Sequence, residues 1–136
     1  PRFDTAFLYV TSLPAGLGSN DTGLDRGVSG GGLVVHFERS GPKVLLMQPN
    51  YSYRAGTNDI DQRRSVDESF ARSVLWGFEA AAEENGRVLV DATSFLLRDA
   101  TGAADTLSRL KQGDYHLDAS RSAFYLPRTG NFPKNT

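Results

Sequence analysis

An α+β domain is expected, and three observations predict it. Leu33, Val35 and Phe37 alternate with His36 and Glu38, the period of two that marks a half-buried strand. Ser40-Gly41-Pro42 then supplies a turn, and Lys43 to Tyr53 returns as a second strand, giving a 33–53 hairpin. Further on, Val66, Phe70, Val74 and Phe78 recur at spacing four, with Ala71 and Leu75 beside them. That stripe reads as a helix over 66–82. The architecture drawn from these signals is a mostly antiparallel sheet with two or three helices packed on one face.

The elements follow in order. Phe7-Leu8-Tyr9-Val10 is a short β-prone run ended by Pro14. The loop Ala15 to Gly32 holds seven of the fourteen glycines, and long loops in compact domains tend to be functional or mobile. Residues 56–64 are polar and read as a linker. Ser65-Val66-Asp67-Glu68 fits a capping box, placing the helix start there and its end at Asn85-Gly86. Arg87-Val88-Leu89-Val90 is a third strand; Thr93 to Leu97 suits a helical turn or a strand continuation equally. Ala103, Ala104, Leu107 and Leu110 form a short helix stopped at Gly113. Tyr115-His116-Leu117 and Ser122 to Leu126 read as a last pair of strands about a turn at 118–121.

A chain of 136 residues suits a single domain over 1–136, long enough to bury one core without staples. It opens on Pro1 and stops at Thr136 as though excised from a longer polypeptide. Fifteen basic against sixteen acidic residues leave a net charge of −1, which disfavours nucleic acid as a partner, since phosphate neutralisation wants a basic excess. Arg outnumbers Lys twelve to three, suiting bidentate pairing with carboxylates. No cysteine is present, so disulfides, thiolate metal sites and thiol nucleophiles are excluded. No apolar run approaches the roughly 20 residues that span a bilayer.

The chemistry-bearing motifs are incomplete. A hydrolytic zinc wants two histidines one helical turn apart with a glutamate between them. Here His36 and His116 stand eighty residues apart, so each reads as structural or exposed, and no catalytic or metal-ligating set is expected. Gly18-Ser19-Asn20 is a fragment of a nucleophile elbow, without its second glycine. The glycines of 16–18 and 27–32 lack the spacing of a phosphate-binding loop. Asn20, Asp21 and Asp25 offer oxygens that would suit calcium or another ligand, with Arg26 beside them, though not at EF-hand spacing. Asx turns and a local Arg–carboxylate pair explain the same residues.

Phe7-Leu8-Tyr9-Val10-Thr11-Ser12-Leu13, Gly16-Leu17-Gly18-Ser19-Asn20-Asp21 and Gly23-Leu24-Asp25-Arg26-Gly27 together carry a resemblance. So do Gly41-Pro42-Lys43-Val44-Leu45-Leu46, Gln48-Pro49-Asn50-Tyr51, the run from Ser69 to Phe78, Val88 to Thr93, Leu117 to Ser122 and Leu126-Pro127-Arg128. The chain resembles the domain of unknown function that precedes the catalytic domain in large bacterial zinc-dependent metalloproteases of metzincin type. The resemblance implies that zinc and the H-E-x-x-H motif lie downstream, outside these residues. It implies a parent exported to the periplasm or the medium, and the catalytic domain of the same polypeptide as partner. The expected role is a non-catalytic accessory domain that folds, shields or guides substrate peptide. The alternative is an independent module binding a small ligand, calcium or peptide through loop 16–27 or the hairpin edge.

Overall fold

The computed structural model describes residues 2–18, 22–53, 56–128 and 130. Two compact units emerge: 1–12 with 29–92, and 13–28 with 93–136. The first unit is a five-stranded antiparallel sheet of order β1-β2-β3-β4-β5. Its strands are β1 (Phe7–Tyr9), β2 (Leu33–Ser40), β3 (Lys43–Gln48), β4 (Ser73–Glu84) and β5 (Arg87–Val90). One helix, α1 (Ile60–Ser69), belongs to this unit.

The hairpin expected from alternation forms as β2 and β3, with Ser40 opposite Lys43. Gly41 sits at φ 54 and Pro42 follows, the arrangement of a type II′ turn, which matches the twist of its strands. The second strand stops at Gln48 rather than Tyr53. Across β2, β3 and β4, cross-strand register stacks Phe37, Leu46 and Trp76 in one row and Arg39, Val44 and Phe78 in the next. Val35, Val44, Leu46 and Phe78 on this face are buried. Phe37 joins them to β1, its ring 5.2 Å from Phe7 and 6.1 Å from Phe78. Met47, on the opposite face, is also buried, so β3 is covered on both sides.

The expected helix over 66–82 is replaced by two elements. α1 begins at Ile60, capped by Asp59, whose carboxylate accepts from the amides of Asp61 and Gln62 at 2.9 and 3.4 Å. The supposed linker 56–64 is therefore half helix, and Ser65 lies in its interior rather than at its cap. From Ser73 to Glu84 the chain is the longest strand, paired with β3 from Gln48↔Ser73 to Lys43↔Glu79. A spacing of four satisfies a helical stripe and one face of a strand equally, because four is a multiple of two. Pairing with a buried β3 then overrides the helix preference of the Glu79–Glu84 run. Asn85-Gly86, at φ 51 and 71, is the two-residue turn that joins β4 to β5, with Glu84 opposite Arg87.

In the second unit, the stretch 13–28 folds back on itself through Leu13 N–H to Val28 O and Gly27 N–H to Leu13 O, both at 2.9 Å. Leu24 is its buried anchor. Gly16 packs against that return limb, where a Cβ would stand 3.2 Å from the Arg26 nitrogen. Thr93–Leu96 is the helical turn α2, and Ala103–Arg109 is helix α3. The last two expected strands do not form: Ala119–Arg121 and Leu126–Arg128 are 3-10 turns instead. Asp118 accounts for the first, since its carboxylate takes the Ser120 amide at 3.0 Å and the Arg121 guanidinium at 2.7 Å, closing the chain locally.

Asp99 anchors α3, accepting from the amides of Ala103 at 3.0 Å and Ala104 at 2.8 Å. Partial burial pulls its pKa upward, but bonds from Ala104, Ala103, Thr101 and Gly102 outweigh this and hold it below the usual carboxylate value. A folded-state pKa below the unfolded one contributes stability that is complete above the ordinary carboxylate range and lost as pH falls through the depressed value. Two outcomes follow. Asp99→Ala lowers stability at neutral pH by roughly 1 kcal/mol, as for other lost caps, and flattens the acid limb of a melting-temperature profile. Leu46→Ala, at a site 1% exposed, costs about 2–5 kcal/mol, whereas Leu89→Ala, at 64% exposed, stays within about 0.5 kcal/mol by chemical denaturation.

Candidate functional site

Of the four residues singled out in loop 16–27, Asn20 and Asp21 lie outside the described residues. Asp25 and Arg26 are exposed neighbours, without an ion pair between them. The loop's own backbone supplies its order, including Val28 N–H to Asp25 O at 3.1 Å and Leu17 N–H to Leu24 O at 3.2 Å.

A different constellation assembles on β2. His36 and Glu38 stand two residues apart, so they share the face of the strand opposite Phe37. Asp4 is brought to them by its own amide, which donates to the Phe37 carbonyl at 2.9 Å, next to a parallel bridge between Phe3 and Phe37. One ligand atom from each of Asp4, His36 and Glu38 falls within 4.8 Å of the others. His36 Nε2 lies 3.7 Å from Glu38 Oε2, and the same oxygen accepts from Arg72 Nη1 at 2.8 Å. The 3.7 Å between Nε2 and Oε2 is close to the spacing of two ligands on one metal ion, so an ion here would compete with Arg72 for that carboxylate oxygen. Arg72 meanwhile compensates the carboxylate directly. The Arg72–Glu38 pair makes an ion-paired clasp between the residue just before β4 and β2.

Sequence reasoning placed His36 and Glu38 on one strand face but had no means of finding Asp4 or Arg72. Asp4 arrives through a backbone bond across more than thirty residues, and Arg72 stood inside the misassigned helix. His116 is exposed in the second unit.

The sheet margins form the other notable surface. Among the described residues, β5 has β4 as its sole strand neighbour. Both strands of the 33–53 hairpin, by contrast, have neighbours: β3 lies between β2 and β4, and β2 between β1 and β3. The sheet's outer strands are therefore β5 at one margin and β1 at the other, where β1 pairs with β2 only over Leu33 to Val35. Beside β5 runs a groove of ≈ 590 Å³, lined by Phe37, Val44, Val88 and Val90, with Arg2, Phe3, Gly86 and Arg87 along its sides. Residues 2 and 3 belong to the margin next to β2, so the sheet curls until its two margins face one another across this groove.

A family model described as a domain of unknown function (DUF5117) matches residues 27–136, and the chain belongs to that family. No curated protein and no solved structure matches it. No helix among the described residues is long and apolar enough to cross a membrane.

The clasp makes a quantitative expectation. Arg72 is 55% and Glu38 32% exposed at the side chain, so water and salt screen the pair. A double-mutant cycle on Arg72→Ala and Glu38→Ala yields a coupling below about 1 kcal/mol that shrinks further at high salt. A coupling of several kcal/mol that survives salt would instead mark a buried, functional charge site.

Proposed function

We propose that this DUF5117 domain is a non-catalytic accessory domain of a bacterial zinc-dependent metalloprotease, acting on the fold, shielding or substrate supply of the catalytic unit. The observation that supports this most is in the β2 cluster, where Arg72 takes up the Glu38 carboxylate beside His36 at 2.8 Å and competes with any ion for that oxygen. The resemblance of the linked segments from Phe7 to Arg128 supplies the metalloprotease context, and the family description itself assigns no activity. On this reading zinc is held by the downstream catalytic domain of the same polypeptide, the parent is secreted or periplasmic, and helices flank one face of the sheet within the assembled protein.

A second reading, an independent binding module, draws support from the open margin and groove at β5, which would offer main-chain groups to an extended peptide. Calcium binding by Asn20, Asp21 and Asp25 is the weaker form of it.

Two measurements separate these readings. Incubated with zinc and an unfolded protein substrate, the 136-residue chain is expected to give no chelator-sensitive cleavage above buffer; reproducible cleavage abolished by chelator sinks the accessory reading. Added calcium is expected to leave the melting temperature unchanged, whereas a concentration-dependent rise would favour the loop, since a ligand specific for the native state must stabilise it.

A further inference from the structure

The groove between the sheet margins combines three features that point to one kind of occupant. Its floor is apolar, with Phe37 and Val44 beneath and Val88 and Val90 along β5. The outer edge of β5 carries backbone donors and acceptors that no strand among the described residues takes up, and such an edge is a template for another extended chain. Two arginines, Arg2 and Arg87, flank it, and neither forms an ion pair with an acidic side chain among the described residues. The closest acidic groups on β4 are differently disposed: Glu83 is held by Arg39 at 3.2 Å, and Glu84 is the turn-closing partner across from Arg87 without pairing to it.

We propose that this groove binds an extended peptide with acidic residues flanking an apolar stretch, added to β5 as a sixth strand. Main-chain bonds to β5 supply the affinity, the alternate apolar side chains cover Phe37, Val44, Val88 and Val90, and the carboxylates meet Arg2 and Arg87. Strand addition suits this place because the curled sheet already brings a second margin, residues 2 and 3, to the far side of the gap. A sixth strand there would cover backbone and apolar surface together. The proposal deepens the substrate-guiding form of the accessory reading and rests on it for the source of the peptide. On that reading the occupant is an acidic–apolar segment of the protein substrate.

The test uses the full 136-residue chain and a short, blocked, fluorescent peptide of alternating valine and threonine with glutamate at both ends. Two controls accompany it, one with lysine at the ends and one interrupted by proline, which cannot complete the ladder. Saturable binding is expected for the glutamate-ended peptide alone, weakening as salt rises, with amide shifts concentrated at 86–90. Arg2→Glu combined with Arg87→Glu is expected to weaken it by about threefold to tenfold, as two exposed ion pairs would, and to admit the lysine-ended peptide. Comparison of the three peptides on the unaltered chain decides the matter even where the double variant fails to fold. Equal binding of both charge types, binding of the proline-interrupted peptide, shifts away from 86–90, or no saturable binding overturns the proposal. Self-association of the chain through β5 overturns it too, because the occupant would then be a second copy. The cleavage assay fails independently: a silent groove leaves the non-catalytic reading standing, and metal-dependent cleavage leaves peptide binding standing.

Discussion

Burial of β3 on both faces is the constraint around which the first unit is organised. Val44 and Leu46 point to one side and Met47 to the other, and all three are buried. A strand covered on both faces must have a partner at each edge to satisfy its backbone groups, so β2 and β4 are required, and each is held in register by that need. β2 brings His36 and Glu38 into place opposite Met47 and Leu45. β4, continuing past the end of β3, carries the Asn85-Gly86 turn and therefore β5. The clasp and the groove both depend on where those two strands run.

The residue run Lys43-Val44-Leu45-Leu46-Met47 already carried this message, because unbroken apolar stretches mark strands without a solvent face. Alternation in 33–37 and the Gly41-Pro42 turn made the hairpin legible as well. The helical reading of 66–82 failed on one ambiguity and one missed signal. Spacing of four between Val66, Phe70, Val74 and Phe78 fits two kinds of element. The Asn-Gly pair at 85–86, set between Glu84 and Arg87 and followed by a strand, is a strong short-range hairpin signature, and read as a turn rather than a helix stop it marks β4 as a strand. The start of α1 was hidden because Asp59 and Ser65 are both competent caps; Asp59 prevails with Thr57 supporting its own amide at 3.1 Å.

The candidate sites were less legible than the fold, for a reason of distance along the chain. Loop 16–27 drew attention by composition, yet its described part is ordered by main-chain bonds and by Leu24 rather than by its charged side chains. The clasp and the groove are assembled from residues more than thirty positions apart, such as Asp4 with His36 and Phe3 with Val88. Only tertiary pairing brings them together, and local pattern does not encode it. The arginine excess was readable in part: Arg39, Arg64, Arg72 and Arg121 do meet carboxylates, while Arg2 and Arg87 are left at the groove.

A scaffold built on a doubly buried strand, with a margin left open for another chain, has a direct signature in native-state amide exchange. Amides of 44–47 should exchange only through global unfolding, while the outward amides of 87–90 exchange orders of magnitude faster. Protection along β5 equal to that of β3 in the isolated monomer would mean the margin is already closed, and would contradict the account.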